Sequence, residues 1–241
     1  MSVKIFIDFD GTITTCDVGN AMFRSLGGDA ADEAISLYHA ERISARECFL
    51  REAALCGDFP LSGLEAVIDG QSIDPGFKDF AAFCAGRGID LCVLSDGLDF
   101  YIDRIFKRHG IGGIPRFSNA VSLVPSGTDG RVSMNLEFPA ENPDCDRCAS
   151  CKRNIMLTLS GDEDFLVYVG EGYSDRCPAR YADLVFAKDQ LQSYCQEQNI
   201  SYLTYATFAD VQSGLEKLLL KNHLRPRRRA CLNRTAAFIA E

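Results

Sequence analysis

Apolar positions along the chain follow two periodicities. Val3–Phe9 is a β-branched and aromatic run and predicts a buried strand. From residue 17 to residue 71 the spacing is helical, with no convincing strand, and is punctuated by Gly27-Gly28 and Gly57-Asp58-Phe59-Pro60. Ser44-Ala45-Arg46-Glu47 reads as a capping box ahead of an apolar helix. Strand and helix then alternate: a helix over 75–88, a strand over 89–95 and a helix over 98–109. Asn119–Val124 and Arg131–Phe138 alternate with period two across Ser126-Gly127-Thr128-Asp129-Gly130, which predicts a hairpin. A cysteine-rich connection at 142–151 leads into a helix that begins at Lys152. Phe165–Val169 and Leu184–Ala187 predict further strands, and 207–221 a last helix.

Alternating βα units predict an α/β fold, a parallel sheet flanked by helices in a Rossmann-like arrangement. The helical block directly after the first strand reads as an inserted all-helical cap, and the hairpin as a small β addition. The expected division is a core of residues 1–15 and 74–222, a cap of residues 16–73 and a basic C-terminal tail at 223–241. Chemistry in such folds sits beyond the carboxyl ends of the strands.

Composition narrows the class. With 241 residues, 46% hydrophobic and 24% charged, the chain suits one sizeable core. No apolar run approaches the ~18 residues of a membrane span, and the first strand pattern begins too early for a signal peptide, so a cytoplasmic protein without a membrane partner is expected. The net charge is −9, and five arginines crowd into 225–234, so the remainder is more acidic still. Nucleic acid is not an expected partner of so acidic a body. The arginine run itself reads as a solvated, mobile end. Eleven cysteines in a chain with no export signal read as reduced thiols. Cys16, Cys48, Cys56, Cys84 and Cys92 fall in apolar patterning and read as core. Cys145, Cys148 and Cys151 share one short loop and are candidates for a structural Zn2+, with no evident fourth ligand; the alternative is thiols that pack the loop beside Lys152.

The candidate chemistry lies at three strand ends. The first reads Asp8-Phe9-Asp10-Gly11-Thr12: two carboxylates that can face one pocket and hold a hard cation, with Gly11 free to turn the backbone. The second supplies Ser95-Asp96-Gly97, a hydroxyl able to donate to phosphate. Lys152 is a cation that could neutralise phosphate charge. The fourth element, Gly170-Glu171-Gly172-Tyr173-Ser174-Asp175, sets two acids four residues apart across a glycine turn.

In this order and at these places, the four elements resemble the haloacid dehalogenase (HAD) superfamily of phosphohydrolases, in its phosphoserine-phosphatase-like branch. Within that branch, Gly170–Lys188 and the Cys145–Lys152 loop are similar to the methionine-salvage phosphatases, which act on 2-hydroxy-3-keto-5-methylthiopentenyl 1-phosphate. The same region is similar to phosphocholine/phosphoethanolamine phosphatases. The chain departs from the family with Glu171 in place of Asp, and with Ser95-Asp96-Gly97 in place of Ser-Gly-Gly.

The resemblance implies a Mg2+-dependent hydrolysis of a small phosphorylated metabolite. Asp8 is the implied nucleophile, forming an aspartyl phosphate, and Asp10 the acid and base. Asp8, the Asp10 carbonyl, Glu171 and Asp175 are the implied metal set. Ser95, Lys152 and the backbone around Phe9, Asp10 and Gly11 would hold the phosphoryl group. Asp17 would face the leaving group, and Arg42, Arg46 and Arg51 are candidates for a cap arginine that binds a substrate carboxylate. A phosphotransferase of the same fold and a non-catalytic phosphometabolite-binding relative remain the alternatives, and the substrate stays open.

Overall fold

Strand β1 (Val3–Ile7) lies in the middle of the sheet, and its Ile5, Phe6 and Ile7 are buried there. A computed structural model describes every residue except Met1, Thr128, Asp146, Asn222, Ala240 and Glu241. After β1 the chain runs through helices α1 (Val18–Gly27), α2 (Ala30–His39) and α3 (Ala45–Cys56), a two-residue strand β2 (Phe59–Pro60) and helix α4 (Leu61–Asp69). Helix α5 (Phe77–Ala85), β3 (Asp90–Leu98), α6 (Asp99–Arg108) and the pair β4 (Arg116–Ser126) and β5 (Arg131–Glu137) follow. Then come α7 (Lys152–Thr158), β6 (Phe165–Gly170), α8 (Arg176–Ala179), β7 (Leu184–Ala187), α9 (Asp189–Glu197), β8 (Leu203–Thr204), α10 (Phe208–Leu220) and α11 (Arg228–Ile239).

The described strands form one sheet in the order β2-β5-β4-β3-β1-β6-β7-β8. From β4 to β8 neighbouring strands are parallel. The hairpin is no separate appendage: β4 continues the parallel sheet and turns it antiparallel into β5, and β5 then pairs with β2. Period-two side chains fill both faces. Ile5, Ile7, Val93, Val167 and Val169 join one core cluster, with α5, α6 and α10. Phe6, Cys92, Leu94, Leu166 and Tyr168 join the other, with α7 and α9.

Local chemistry sets the helix starts. Asp17 caps α1 by accepting from the Asn20 amide, 2.7 Å, and Ser44 caps α3 by accepting from the Glu47 amide, 3.1 Å. A full capping box of Thr207 and Asp210 opens α10. The inserted helices leave and rejoin the core where Thr14 bridges Ile73. They are tied to it on one side. Phe59 and Pro60 pair with Val132 and Arg131, and Arg104 of α6 holds Asp69 at 2.7 Å and Glu65 at 2.5 Å on α4.

Two expectations are corrected here. The basic end is not a solvated tail. Arg227 donates to the carbonyls of Ala179 (2.7 Å) and Ala182 (2.8 Å), Arg234 reaches buried Asp183 at 3.2 Å, and Ala230 is fully buried, so 228–239 is a docked helix. Carbonyls left over at the end of α8 are natural partners for arginine, and only tertiary folding brings them there. Cys16 is exposed and bonds Gln71, whereas Cys48, Cys56, Cys84 and Cys92 are buried as expected.

Candidate active site

The ends of β1, β3 and β6 meet under the inserted helices, around a cavity of about 340 Å³. Asp8, one residue beyond β1, is 5% exposed and stands at its floor. Lys152, the first residue of α7, is 1% exposed, and its ammonium donates to Asp8 Oδ1 (2.6 Å), Asp175 Oδ1 (2.7 Å) and Ser174 Oγ (2.8 Å). All three ammonium protons are thereby used. Thr12 Oγ1 donates to the other Asp8 oxygen, 3.1 Å. Burial, then the Asp175 charge, pushes the Asp8 carboxyl up, against the pull of Lys152. Two carboxylates and one ammonium leave this buried cluster with excess negative charge.

Asp10 is held by a different set. Its Oδ1 accepts from the Val18 amide (3.0 Å), and its Oδ2 from Tyr101 (2.7 Å) and Ser95 (3.3 Å). Burial first, and the Asp17 charge second, raise its pKa well above the usual carboxylate value. That direction favours the protonated carboxyl, the form able to give a proton to a leaving oxygen.

Ser95 is fully buried, and its hydroxyl also accepts from the Gly97 amide at 2.9 Å. Gly97 has no alternative: a Cβ there would run into the Tyr101 hydroxyl and lie 2.6 Å from Asp10 Oδ2. Asp96 turns away from the phosphate loop. Its carboxylate accepts from the Ser150 amide at 2.6 Å, and its carbonyl from Asn119 at 2.6 Å, so it ties the cysteine loop to β3. Burial raises its pKa, with Lys152 and the Ser150 amide pulling it back.

The turn after β6 separates its two acids by role. Asp175 is completely buried. Its Oδ2 accepts from the Glu171 and Gly172 amides, 2.9 Å each, and its Oδ1 from Tyr168 (2.6 Å) as well as Lys152. Both oxygens are taken, so Asp175 braces the turn and aims Lys152. Glu171 points into the cavity and lies over Gly11, 3.1 Å from where a Cβ would stand. Burial, then Asp8 and Asp175, push its pKa up to about 8. That crowding of hard oxygens is relieved by a divalent cation, and an all-oxygen donor set suits Mg2+.

Other expected residues are placed as follows. Gly11 sits at φ +69°, and its amide donates to the Cys16 carbonyl (3.1 Å) and Thr14 (3.2 Å), so it closes the turn and does not face a phosphate. The Phe9 ring is buried in the core and its amide serves Asp8. Asp17 lines the cavity. The three arginines do not: Arg46 pairs with Glu141 and covers Phe138, Arg51 pairs with Glu47, and Arg42 lies on a separate groove beside Ser44. Among the described residues no group of three or more His, Cys, Asp or Glu is arranged to hold a metal, so the structural Zn2+ expected at Cys145, Cys148 and Cys151 is without support. Cys151 is buried ahead of Lys152 and packs the loop.

Sequence reasoning missed Tyr101, Tyr168 and Glu52. The two tyrosines fall at core-like positions of α6 and β6, and Glu52 sits on a helix rich in other charges. Two contacts between the inserted helices and the rest of the chain also went unseen. Tyr38 of α2 donates to the Arg147 carbonyl (2.9 Å), and Tyr173 donates to Glu41 (2.7 Å).

The chain matches the family model described as "Putative Phosphatase" over residues 3–211. It is 29% identical over 223 residues to a protein of Bacillus thuringiensis (strain Al Hakam) named 2-hydroxy-3-keto-5-methylthiopentenyl-1-phosphate phosphatase, spanning 91% of this chain and 98% of that one. A protein of Bacillus cereus (strain AH187) with the same name is 29% identical over 228 residues, again 91% and 98%. Among solved structures, a phosphoserine phosphatase in a phospho-aspartyl intermediate analogue form aligns with a TM-score of 0.66 at 16% identity, covering 91% of this chain and 98% of that one. A HAD family hydrolase from Salmonella enterica serovar Typhi aligns at 0.66 and 19% identity, covering 86% and 68%. These likenesses establish the HAD-type fold.

Proposed function

Because the chain belongs to that phosphatase family, we propose that it is a Mg2+-dependent phosphomonoesterase that works through an aspartyl phosphate on Asp8. The observation that carries the reading is the buried Lys152 ammonium 2.6 Å from Asp8, with Asp10 two residues further along the same turn. A phosphate monoester is anionic, and a site that hydrolyses it must cancel charge and align an in-line attack.

An Asp8 oxygen attacks phosphorus, and the bond to the alcohol oxygen breaks. Asp10, whose pKa burial raises, gives its proton to that oxygen as it leaves. A water then loses a proton to Asp10 and attacks the phosphorus. Phosphate departs and Asp8 is free again. Lys152, oriented by Asp175, holds Asp8 and meets the phosphoryl charge. Ser95 orients Asp10 and stands beside it as a phosphoryl donor. Mg2+, when bound by Asp8, Glu171 and the Asp10 carbonyl, supplies further charge cancellation on the phosphoryl oxygens.

The names of the Bacillus relatives make 2-hydroxy-3-keto-5-methylthiopentenyl 1-phosphate the first substrate to try. A cytoplasmic setting agrees with eleven free cysteines among the described residues. No described helix is long and apolar enough to cross a membrane. The test is phosphate release from a panel of small phosphomonoesters, with Mg2+ and with EDTA, in wild type and Asp8→Asn. Release that needs Mg2+ and vanishes in the variant is expected. Full turnover in Asp8→Asn would remove the aspartyl-phosphate route.

A further inference from the structure

The connection from β5 to α7 delivers Lys152 to Asp8, yet its described residues over 138–151 form no helix or strand. Most of its described hydrogen bonds and ion pairs are local. The Asp144 and Cys145 amides donate to Asn142, and the Cys151 amide to the Ala140 carbonyl at 2.8 Å. Arg46 and Tyr38 of the inserted helices reach Glu141 and the Arg147 carbonyl. Among the described contacts of this kind, Asp96 makes the one that joins the loop to a strand of the sheet: its Oδ1 accepts from the Ser150 amide at 2.6 Å. Asp96 is itself held, because Asn119 of β4, completely buried, donates to its carbonyl at 2.6 Å.

Ser150 is completely buried, so its amide has no ready substitute for that acceptor. A buried amide left unpaired is costly, and Ser150 would have to shift to find another partner. Lys152 would follow, since its own amide donates to the Ser150 carbonyl at 2.9 Å. The ammonium at its far end makes three bonds of 2.6–2.8 Å, to Asp8, Asp175 and Ser174, and a shift of the backbone loosens all three. A glycine at position 96 would have no side chain to offer, so the anchor belongs to this chain's departure from Ser-Gly-Gly. We propose that Asp96 is a positioning residue for Lys152: its carboxylate pins the end of the loop to β3, sets the ammonium against Asp8, and acts through Lys152 and not on the substrate. The effect on turnover rests on the phosphatase reading; the anchor itself does not.

Acetylation by N-acetoxysuccinimide, read by mass spectrometry on the folded protein, reports on the ammonium directly. In wild type Lys152, 1% exposed, should be protected, with exposed Lys78 as the reference. In Asp96→Ala, Lys152 should react at least about tenfold faster relative to Lys78, and kcat for p-nitrophenyl phosphate with Mg2+ should fall by about tenfold to a hundredfold, with a smaller change in KM. Asp96→Asn, which keeps an acceptor oxygen for the Ser150 amide, should stay close to wild type in both readouts. A loss of turnover with Lys152 still protected overturns the proposal, because Asp96 would then act on the substrate. Unchanged labelling with unchanged kcat overturns it as well, and so does an asparagine variant that behaves like the alanine one. A measurement on wild type covers the case of an alanine variant that does not fold: in hydrogen exchange the Ser150 amide should be at least about a hundredfold slower than that of exposed Asp144 in the same loop. Equal rates overturn the anchor. If wild type turns over no phosphomonoester, the phosphatase reading fails, while labelling and exchange still decide whether Asp96 holds Lys152.

Discussion

The Tyr101 hydroxyl donates to Asp10 Oδ2 across 2.7 Å, from a helix that begins where the Ser95-Asp96-Gly97 strand end stops. A donor to a carboxylate stabilises the ionised form, so this bond holds the Asp10 pKa below where burial and Asp17 alone would put it. In Tyr101→Phe the Asp10 pKa rises further. The acid form then persists to higher pH, and the basic limb of the kcat–pH profile moves up by roughly one unit. At neutral pH the second step, in which Asp10 must accept a proton, slows by about tenfold. A pre-steady-state measurement shows this as accumulated aspartyl phosphate.

Lys152 is the cation between two buried carboxylates. Lys152→Met leaves Asp8 and Asp175 facing each other without it, at a cost of about 3–5 kcal/mol. The Asp8 carboxyl, already raised to about 7 by burial and the Asp175 charge, then rises further, since the pull of Lys152 is gone. The loss is largest at alkaline pH and shrinks as pH falls through that raised value, because protonation of Asp8 removes the repulsion. Urea unfolding at pH 8 and pH 5 checks the sign, and turnover is lost at both.

Gly97→Ala places a methyl group against the Tyr101 hydroxyl and Asp10 Oδ2. The tyrosine must move and the Asp10 bond breaks. Activity should fall at least tenfold, with about 1–3 kcal/mol lost in denaturant unfolding.

Much of this was legible in the sequence, and the exceptions share a cause. Strand runs, the hairpin and the start of α7 at Lys152 follow from periodicity and turn residues, which are local. So do Asp8 and Asp10, because a strand end fixes where short acidic side chains go. Asp175 was grouped with Glu171, since spacing shows two acids but not which one the Tyr168 hydroxyl and two amides will claim. Glu52 follows Arg51 on a helix that also carries Arg46 and Glu47, and looks like one more solvated charge until α3 is turned inward. The basic end looks free until the carbonyls around Ala179–Ala182 are brought beside it.

Glu52→Gln should stabilise the protein at alkaline pH. Burial, then the Asp17 charge, raises Glu52 from 4.5 to about 8. A raised acid pKa means that the folded state is penalised as the group ionises, with no penalty below the unfolded pKa and the full penalty above pH 8. The glutamine variant should be more stable than wild type by on the order of 2–4 kcal/mol at pH 9, and equal to it near pH 4. Acids kept at such a cost are typical of functional sites. Thermal melts across that range decide it.

Arg234 reaches Asp183, whose side chain is fully buried, at 3.2 Å. Arg234→Ala should lower stability by about 1–3 kcal/mol and leave KM unaltered, because α11 docks far from the cavity lining. Thermal unfolding and steady-state kinetics together separate the two effects.

The inserted helices join the sheet through backbone pairing of β2 on β5 and through Arg104 on α4. Toward the Gly170–Asp175 turn the contacts named above are of another kind, Tyr38 on the Arg147 carbonyl and Tyr173 on Glu41. One margin of the cavity roof is thus held by the sheet's own backbone ladder, and the other by two phenol hydroxyls at exposed positions, which water can replace.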